Sequence, residues 1–314
     1  VTSFIHPYSG RRFRLGLINV FFRLMRVIAD IVPVRASTMV AANWILATPI
    51  VPLSRSSVVD SERVGGMRVD VVVNPTVRSP ERTILHIHGG GFVFGSTRTH
   101  RLLASELSKA CRARVVLFDY RLMPEYSVSS AIADCMRAYE WAEATYPDHP
   151  LVVSGDSAGG NLMLSVLKRL VSAGRTLPMA AVGLSAWLDP DYVHEKGAPR
   201  DSFFSLRFAD RAASLANPRD EILPLQSISA LPPVPVLLQC GAEEPVLTSN
   251  RTLVDSLVEL GTRAVLQAWE GQPHVFQMLA PFTPESVSAL ANVDEFLSSL
   301  DMSVSRNRPR KNLN

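Results

Sequence analysis

"LVVSGDSAGGNLMLSVLKRL", Leu151–Leu170, begins as a β-rich apolar run and ends with helical period. Between the two parts sits Gly155-Asp156-Ser157-Ala158-Gly159, a G-x-S-x-G pattern. In a strand-turn-helix context this pattern lifts a serine onto a sharp, strained turn, and its neighbours two before and two after must lack side chains. Gly159 and Gly160 also let the helix start close to the strand. The helix N-terminus then aims N–H groups and positive dipole at Ser157. A glycine-rich turn with a helix-capping serine is the competing reading. The strand before and the helix after favour Ser157 as a nucleophile.

The same rhythm extends outward. Apolar runs recur at "MRVDVVV", "TILHIH", "ARVVLFDY", "MAAVGLSAW", "VPVLLQC" and "RAVLQAW". Helical stretches such as "HRLLASELSKACR" and "SSAIADCMRAYEWAEA" lie between several of them. Strands alternating with helices predict an α/β fold, a mostly parallel central sheet flanked by helices. Near-continuous Val/Ile/Leu runs suit strands covered on both faces. With 314 residues, 47% of them hydrophobic, the chain can bury one large core. Charged residues make up 19%, which argues against disorder over most of the length. Much of the net charge of +3 sits in "SRNRPRKNLN", read as a flexible basic tail over residues 303–314 and not as a nucleic-acid surface. Cys111, Cys135 and Cys240 are far apart and lack zinc or C-x-x-C spacing, so a reduced, cytoplasmic chain without metal or cofactor is expected. Leu15–Val32 is apolar but broken by Arg23, Arg26 and Asp30, which disfavours a membrane span. It reads as an amphipathic helix with Leu17, Phe21, Leu24, Val27, Ile28 and Ile31 along one face.

Sites in parallel sheets form where strands end in loops at the C-terminal edge. One such loop is His88-Gly89-Gly90-Gly91. Its bare backbone N–H groups suit an oxyanion hole, with the N–H of Ala158 as a further donor. His88 then has a structural role, holding the glycine loop by hydrogen bonds. A phosphate loop would need a following Gly-Lys-Ser/Thr, which is missing. Seven histidines are present, and only His274 follows the last strand. The order Ser…acid…His therefore selects His274 as the base.

Taken together, "HGGGF", "YRLMPE" and "GDSAGGNL", in that order, resemble the hormone-sensitive-lipase-like (bacterial family IV) carboxylesterases of the α/β-hydrolase superfamily. The resemblance runs from about Leu85 to about Gln277. It implies Ser157 as nucleophile, His274 as base and Gly90, Gly91 and Ala158 as oxyanion donors. It also implies a helical N-terminal cap over residues 1–50, a catalytic domain over 51–302, and a cap insertion near 190–220. A pocket lined by Phe92, Trp187, Phe203, Phe204 and Val275 follows on the same footing. In "YRLMPEYSVSSAIADC" the family's proline-rich run is replaced by Ser127, Ser129 and Ser130, and Arg121 is expected to pair with Glu125.

The family places its acid as Asp in "DPL", where this chain has Glu244-Pro245-Val246. A glutamate can orient the base and stabilise its imidazolium, and α/β-hydrolases accept either acid. Glu244 is preferred. Glu243, by a one-residue slip, and Asp189 are its rivals. Adjacent residues of an extended segment face opposite sides, so both glutamates should not reach His274. The family's later acidic residue is missing, replaced by Thr248-Ser249-Asn250.

The expected activity is hydrolysis of short- to medium-chain acyl esters, lactones included, through a Ser-His-Glu triad. The partner is a small-molecule ester. Membrane-surface contact by the N-terminal helix is the lesser alternative to a lid, and a homodimer is left open. An amidase or deacetylase with the same triad, or a noncatalytic receptor on the same fold, are the rival functions.

Overall fold

The computed structural model describes residues 3–7, 58–188, 206–215 and 233–307, with isolated positions at 20, 23, 24, 26, 27, 31 and 38. The described strands are β1 (Ser3–His6), β2 (Val58–Val64), β3 (Met67–Val73), β4 (Arg82–Ile87), β5 (Ala113–Phe118), β6 (Leu151–Asp156), β7 (Ala180–Leu184), β8 (Val236–Gly241) and β9 (Ala264–Trp269). The described helices are α1 (Thr97–Cys111), α2 (Val128–Thr145), α3 (Ala158–Ser172), α4 (Leu206–Leu215), α5 (Leu247–Glu259) and α6 (Pro284–Asn307). All nine strands form one sheet in the order β1-β9-β8-β7-β6-β4-β5-β3-β2. Only β3 runs against the others, pairing antiparallel with both β2 and β5.

The apolar runs are explained by cover on both faces. Along β4, Leu85 and Ile87 join a core with α2, α3 and α5, while Ile84 joins another with α1 and α6. Val153 and Val152 divide the same way on β6. Side chains alternate across a strand, so a strand sandwiched between helices must be apolar at consecutive positions.

Helix starts are set by small polar side chains. Ser96 caps α1 in a reciprocal capping box with Thr99. Ser127 caps α2 by accepting the Ser130 N–H, so a serine that replaces the family's proline-rich run has a definite structural use. Arg121 pairs with Asp134 and not with Glu125. Its guanidinium makes two hydrogen bonds to that buried carboxylate, at 2.8 and 3.0 Å, and its backbone N–H makes a third at 3.0 Å. A bidentate grip on a buried acid outweighs a contact with Glu125, which stands exposed one turn away.

The ends of the chain differ from expectation. Residues 3–6 are a strand paired in parallel with β9, so the span read as cap begins inside the sheet. Val20, Leu24, Val27 and Ile31 are helical and exposed. Leu24, Val27 and Ile31 therefore do not form the buried side of a lid. Apolar residues occur on more than one side of this stretch, so periodicity does not single out the covered face. Leu17, Phe21 and Ile28 lie outside the described residues. Helix α4 falls within the expected insertion near 190–220, whereas the flanking 189–205 and 216–232 lie outside the description. At the C-terminus α6 continues to Asn307, past the expected start of the tail. All three cysteines are buried thiols. Among the described residues no helix is long and apolar enough to cross a membrane.

Candidate active site

Ser157 stands between β6 and α3 with φ 48° and ψ −121°, a backbone conformation that costs a non-glycine residue on the order of 1–3 kcal/mol. It makes no side-chain cap to α3. Its Oγ lies 2.9 Å from Nε2 of His274 instead. The turn is this tight because α3 starts against β4: a Cβ on Gly159 would overlap the Ile87 carbonyl.

His274 follows β9, and its Nδ1 lies 2.6 Å from Oε2 of Glu244. Glu244 has no exposed surface. Its second oxygen accepts the Ser185 hydroxyl at 2.7 Å and the Gly241 N–H at 2.5 Å. Because the Glu244 carboxylate can only accept, Nδ1 carries the proton and Nε2 presents a lone pair to Ser157. Glu243 points elsewhere, stands exposed, and accepts the Gly271 N–H at 2.9 Å. The two carboxylates diverge as expected, but for another reason. Residues 242–246 form a turn, not an extended segment, and the Glu244 N–H bonds back to Gly241 O. Asn250, standing near the family's second acid, donates to the carbonyls of Ala186 and Val246 at 2.7 Å each and so ties the start of α5 to the end of β7.

Ser185 was not anticipated. It is buried just past β7 with φ 47°. Its Oγ donates to Glu244 and accepts the N–H of Val275 at 2.9 Å, so one hydroxyl orients Glu244 and the loop carrying His274. Val275 itself has φ 51°, rare for a β-branched residue. A serine at a strand's C-terminal end in "LSAW" was the available signal.

The glycine loop follows β4. Gly90 has φ 114° and Gly91 φ 61°, and the Gly90 carbonyl accepts the N–H groups of Val93 and Phe94 at 3.1 Å. His88 supports the loop, as expected. Its Nδ1 donates to Gly89 O at 2.8 Å, its ring stacks on Tyr120 at 4.1 Å, and the Tyr120 hydroxyl donates to its carbonyl. Burial pushes the His88 pKa down to about 3, so this ring is neutral. The loop also touches the nucleophile turn. A Cβ on Gly89 would overlap the Asp156 carboxylate and lie 3.0 Å from Cβ of Ser157.

Of the expected pocket residues, Phe92 and Trp187 are buried in the main core with ring centroids 5.8 Å apart, and Val275 is buried beside His274. Phe203, Phe204 and the rival acid Asp189 lie outside the described residues. Phe208 of α4 closes on the glycine loop. Its ring edge lies 2.9 Å from where a Cβ on Gly91 would be, and it meets Phe94 edge-on at 5.8 Å.

Among the described residues one group, His86, His100 and Asp156, has the composition and closeness of a metal site. Its contacts are hydrogen-bond lengths between the members, 3.1 Å for His86 Nε2 and 3.3 Å for His100 Nε2 to the same Asp156 oxygen. These are donor–acceptor contacts, and we read the group as a hydrogen-bonded cluster.

A family model described as an alpha/beta hydrolase fold matches residues 84–278, from β4 through the helical turn after His274. The chain belongs to this α/β-hydrolase family. It is 32% identical over 242 residues to the carboxylesterase/phospholipase LipF of Mycobacterium tuberculosis, covering 71% of this chain and 64% of LipF. It thus spans less than two thirds of that relative's length. It is 31% identical to the esterase LipU of the same organism (69% of this chain, 77% of LipU) and 33% identical to an acetyl-hydrolase of Streptomyces hygroscopicus (70% and 76%). Among solved structures, an esterase of the bacterial hormone-sensitive lipase family superposes with a TM-score of 0.78 at 28% identity, covering 93% of this chain and 99% of that one. EstE5, soaked with p-nitrophenyl butyrate, gives 0.76 at 27% identity (91% and 98%). The resemblance read from "HGGGF" and "GDSAGGNL" is thereby borne out as an α/β-hydrolase of the hormone-sensitive-lipase kind.

Proposed function

We propose that this α/β-hydrolase is a serine carboxylesterase working through Ser157, His274 and Glu244. One observation carries the reading: an unbroken relay of 2.9 and 2.6 Å contacts from a strained serine through His274 to a fully buried carboxylate. Nε2 of His274 takes the Ser157 proton as Oγ attacks the ester carbonyl. Glu244 holds the Nδ1–H tautomer and stabilises the imidazolium that forms. N–H groups of Gly90, Gly91 and Ala158 receive the tetrahedral oxyanion, with the N-terminus of α3 adding favourable field. His274 then protonates the departing alcohol, and water removes the acyl group by the same path.

The names of the relatives support an ester substrate, and the acetyl-hydrolase and the butyrate-soaked EstE5 point to small acyl groups. Phe208, packed against Gly91, supports a short acyl site. The test is turnover of p-nitrophenyl esters of two to twelve carbons and of simple lactones, alongside labelling by a fluorophosphonate. Wild type should label and prefer the short esters, and Ser157→Ala should do neither. Failure of wild type to label would overturn the reading in favour of a noncatalytic binding role. Faster turnover of an acetanilide than of the matched aryl acetate would reassign the enzyme as an amidase.

A further inference from the structure

Behind the nucleophile lies a second acid–histidine cluster that the relay does not use. Asp156, the residue before Ser157, is 2% exposed. One of its oxygens accepts the Gly89 N–H at 2.9 Å. The same oxygen meets Nε2 of His86 at 3.1 Å and Nε2 of His100 at 3.3 Å. Gly89 opens the glycine loop, and any side chain there would overlap this carboxylate. The position of the loop relative to Ser157 therefore depends on where Asp156 sits.

The protons in the cluster can be counted. Nε2 of His100 faces an Asp156 carboxylate oxygen, which accepts and cannot donate, so Nε2 carries a proton. The Thr99 hydroxyl, 2.8 Å from His100 Nδ1, can donate to it, which suits the Nε2–H tautomer. His86 is arranged alike: the Ser154 hydroxyl, 2.8 Å from Nδ1, can donate, and its Nε2–H goes to the same Asp156 oxygen. His88, whose ring centre lies 5.5 Å from that of His100, is the third ring facing the group and is neutral. Burial works to raise the Asp156 pKa, but the charge and hydrogen-bond interactions of His100 and His86 hold it far below the usual carboxylate range. Burial pushes His86 down.

We propose that Asp156 is the positioning residue for the oxyanion loop, fixed by hydrogen bonds from the Nε2–H groups of His100 and His86. The proposal rests on the esterase reading, because it assigns the glycine loop to the oxyanion. Asp156 touches no substrate. It acts through the Gly89 N–H, and misplacing catalytic donors by about 1 Å costs on the order of 10²-fold in rate.

The test combines kinetics with histidine nitrogen NMR. In Asp156→Asn, kcat on a short p-nitrophenyl ester should fall about 10²-fold while KM stays within about threefold, since the oxyanion contact strengthens only in the transition state. Circular dichroism checks that the variant folds. His86→Gln, which keeps a donor near the Nε2 position, should retain most of kcat, and His86→Phe should not. In 15N-histidine-labelled wild type at pH 7.5, His100 Nε2 should show a protonated shift, assigned by its loss in His100→Gln. A folded Asp156→Asn with kcat within threefold of wild type overturns the positioning role. A His100 with an unprotonated Nε2 overturns the histidine support of Asp156, and it can be read even where a variant fails to fold. If wild type turns over no ester, the esterase reading falls, while the His100 signal still reports on the cluster.

Discussion

Two acid–histidine clusters meet back to back at adjacent residues, Asp156 and Ser157, and only one has the form of a catalytic relay. In the outer cluster Glu244 is held by Ser185 and Gly241, and His274 turns Nε2 onto the Ser157 hydroxyl. In the inner cluster His86 and His100 both turn Nε2 onto the same carboxylate, leaving neither nitrogen for chemistry. Both are buried and both pair a carboxylate with imidazole. Proximity of acid and histidine therefore does not identify a catalytic base. What separates the two is where the serine on the second ring nitrogen stands: Ser157 sits on the strained turn beside the glycine loop, whereas Ser154, the partner of His86, lies within β6.

That contrast can be broken most directly at its outer end. Ser157→Ala should lower kcat by about 10⁶-fold, as loss of a triad nucleophile does, with the fold kept. Single-turnover kinetics on p-nitrophenyl acetate will show it. Glu244→Gln should lower kcat by about 10⁴-fold, because the amide can no longer hold the Nδ1–H tautomer. Next in size is acyl selectivity. Phe208→Ala should shift the kcat/KM ratio of octanoate to acetate esters upward by about tenfold, the worth of one to two newly accommodated methylenes at about 0.8 kcal/mol each. Measured across an ester series, an unchanged ratio would remove Phe208 from the acyl site. Glu243→Gln sharpens the comparison by its smallness. The exposed side chain accepts one loop N–H, so kcat should stay within about threefold while the Gly271 contact loses about 1 kcal/mol or less.

The last prediction concerns stability. Burial works against the charge on Asp134, but hydrogen bonds from Arg121 win and lower its pKa from 3.8. A depressed folded value stabilises the protein above the unfolded pKa and is lost as pH falls through the folded one. Thermal melts from pH 6 downward should hold until about pH 4 and then decline. In Arg121→Ala the melting temperature should be lower at pH 6 and less sensitive to acid, with kcat unchanged.

Much of the site was legible because local geometry leaves few residue types allowed. A serine on a strand-to-helix turn needs glycine two before and two after, so Ser157 shows itself in a stretch of five residues. The glycine loop shows itself for the same steric reason. His274 was found by chain order, and Glu244 by a one-residue match to the family's acid. Ser185 and the His86–His100–Asp156 cluster were missed. Their members come from different strands and helices, joined only when β4, β6, β7 and α1 pack. Arg121 was misassigned because a short sequence separation favoured Glu125, while the fold offered a buried acid, Asp134, inside α2. Strand β1 was missed because four residues carry too little pattern, and its partner β9 lies about 260 residues away along the chain.

By itself the sequence determined the α/β alternation, the strand-turn-helix around Ser157, the glycine loop and the order of Ser157, Glu244 and His274 along the chain. Each of these rests on periodicity or on steric limits acting within a few residues. Only the tertiary structure decided which of two neighbouring glutamates meets His274. A turn at residues 242–246 sends Glu244 inward to Ser185, Gly241 and His274 and leaves Glu243 at the surface. The physical reason is that a buried carboxylate needs several donors at once, and those donors come from β7, β8 and the loop after β9, which no local stretch of chain contains.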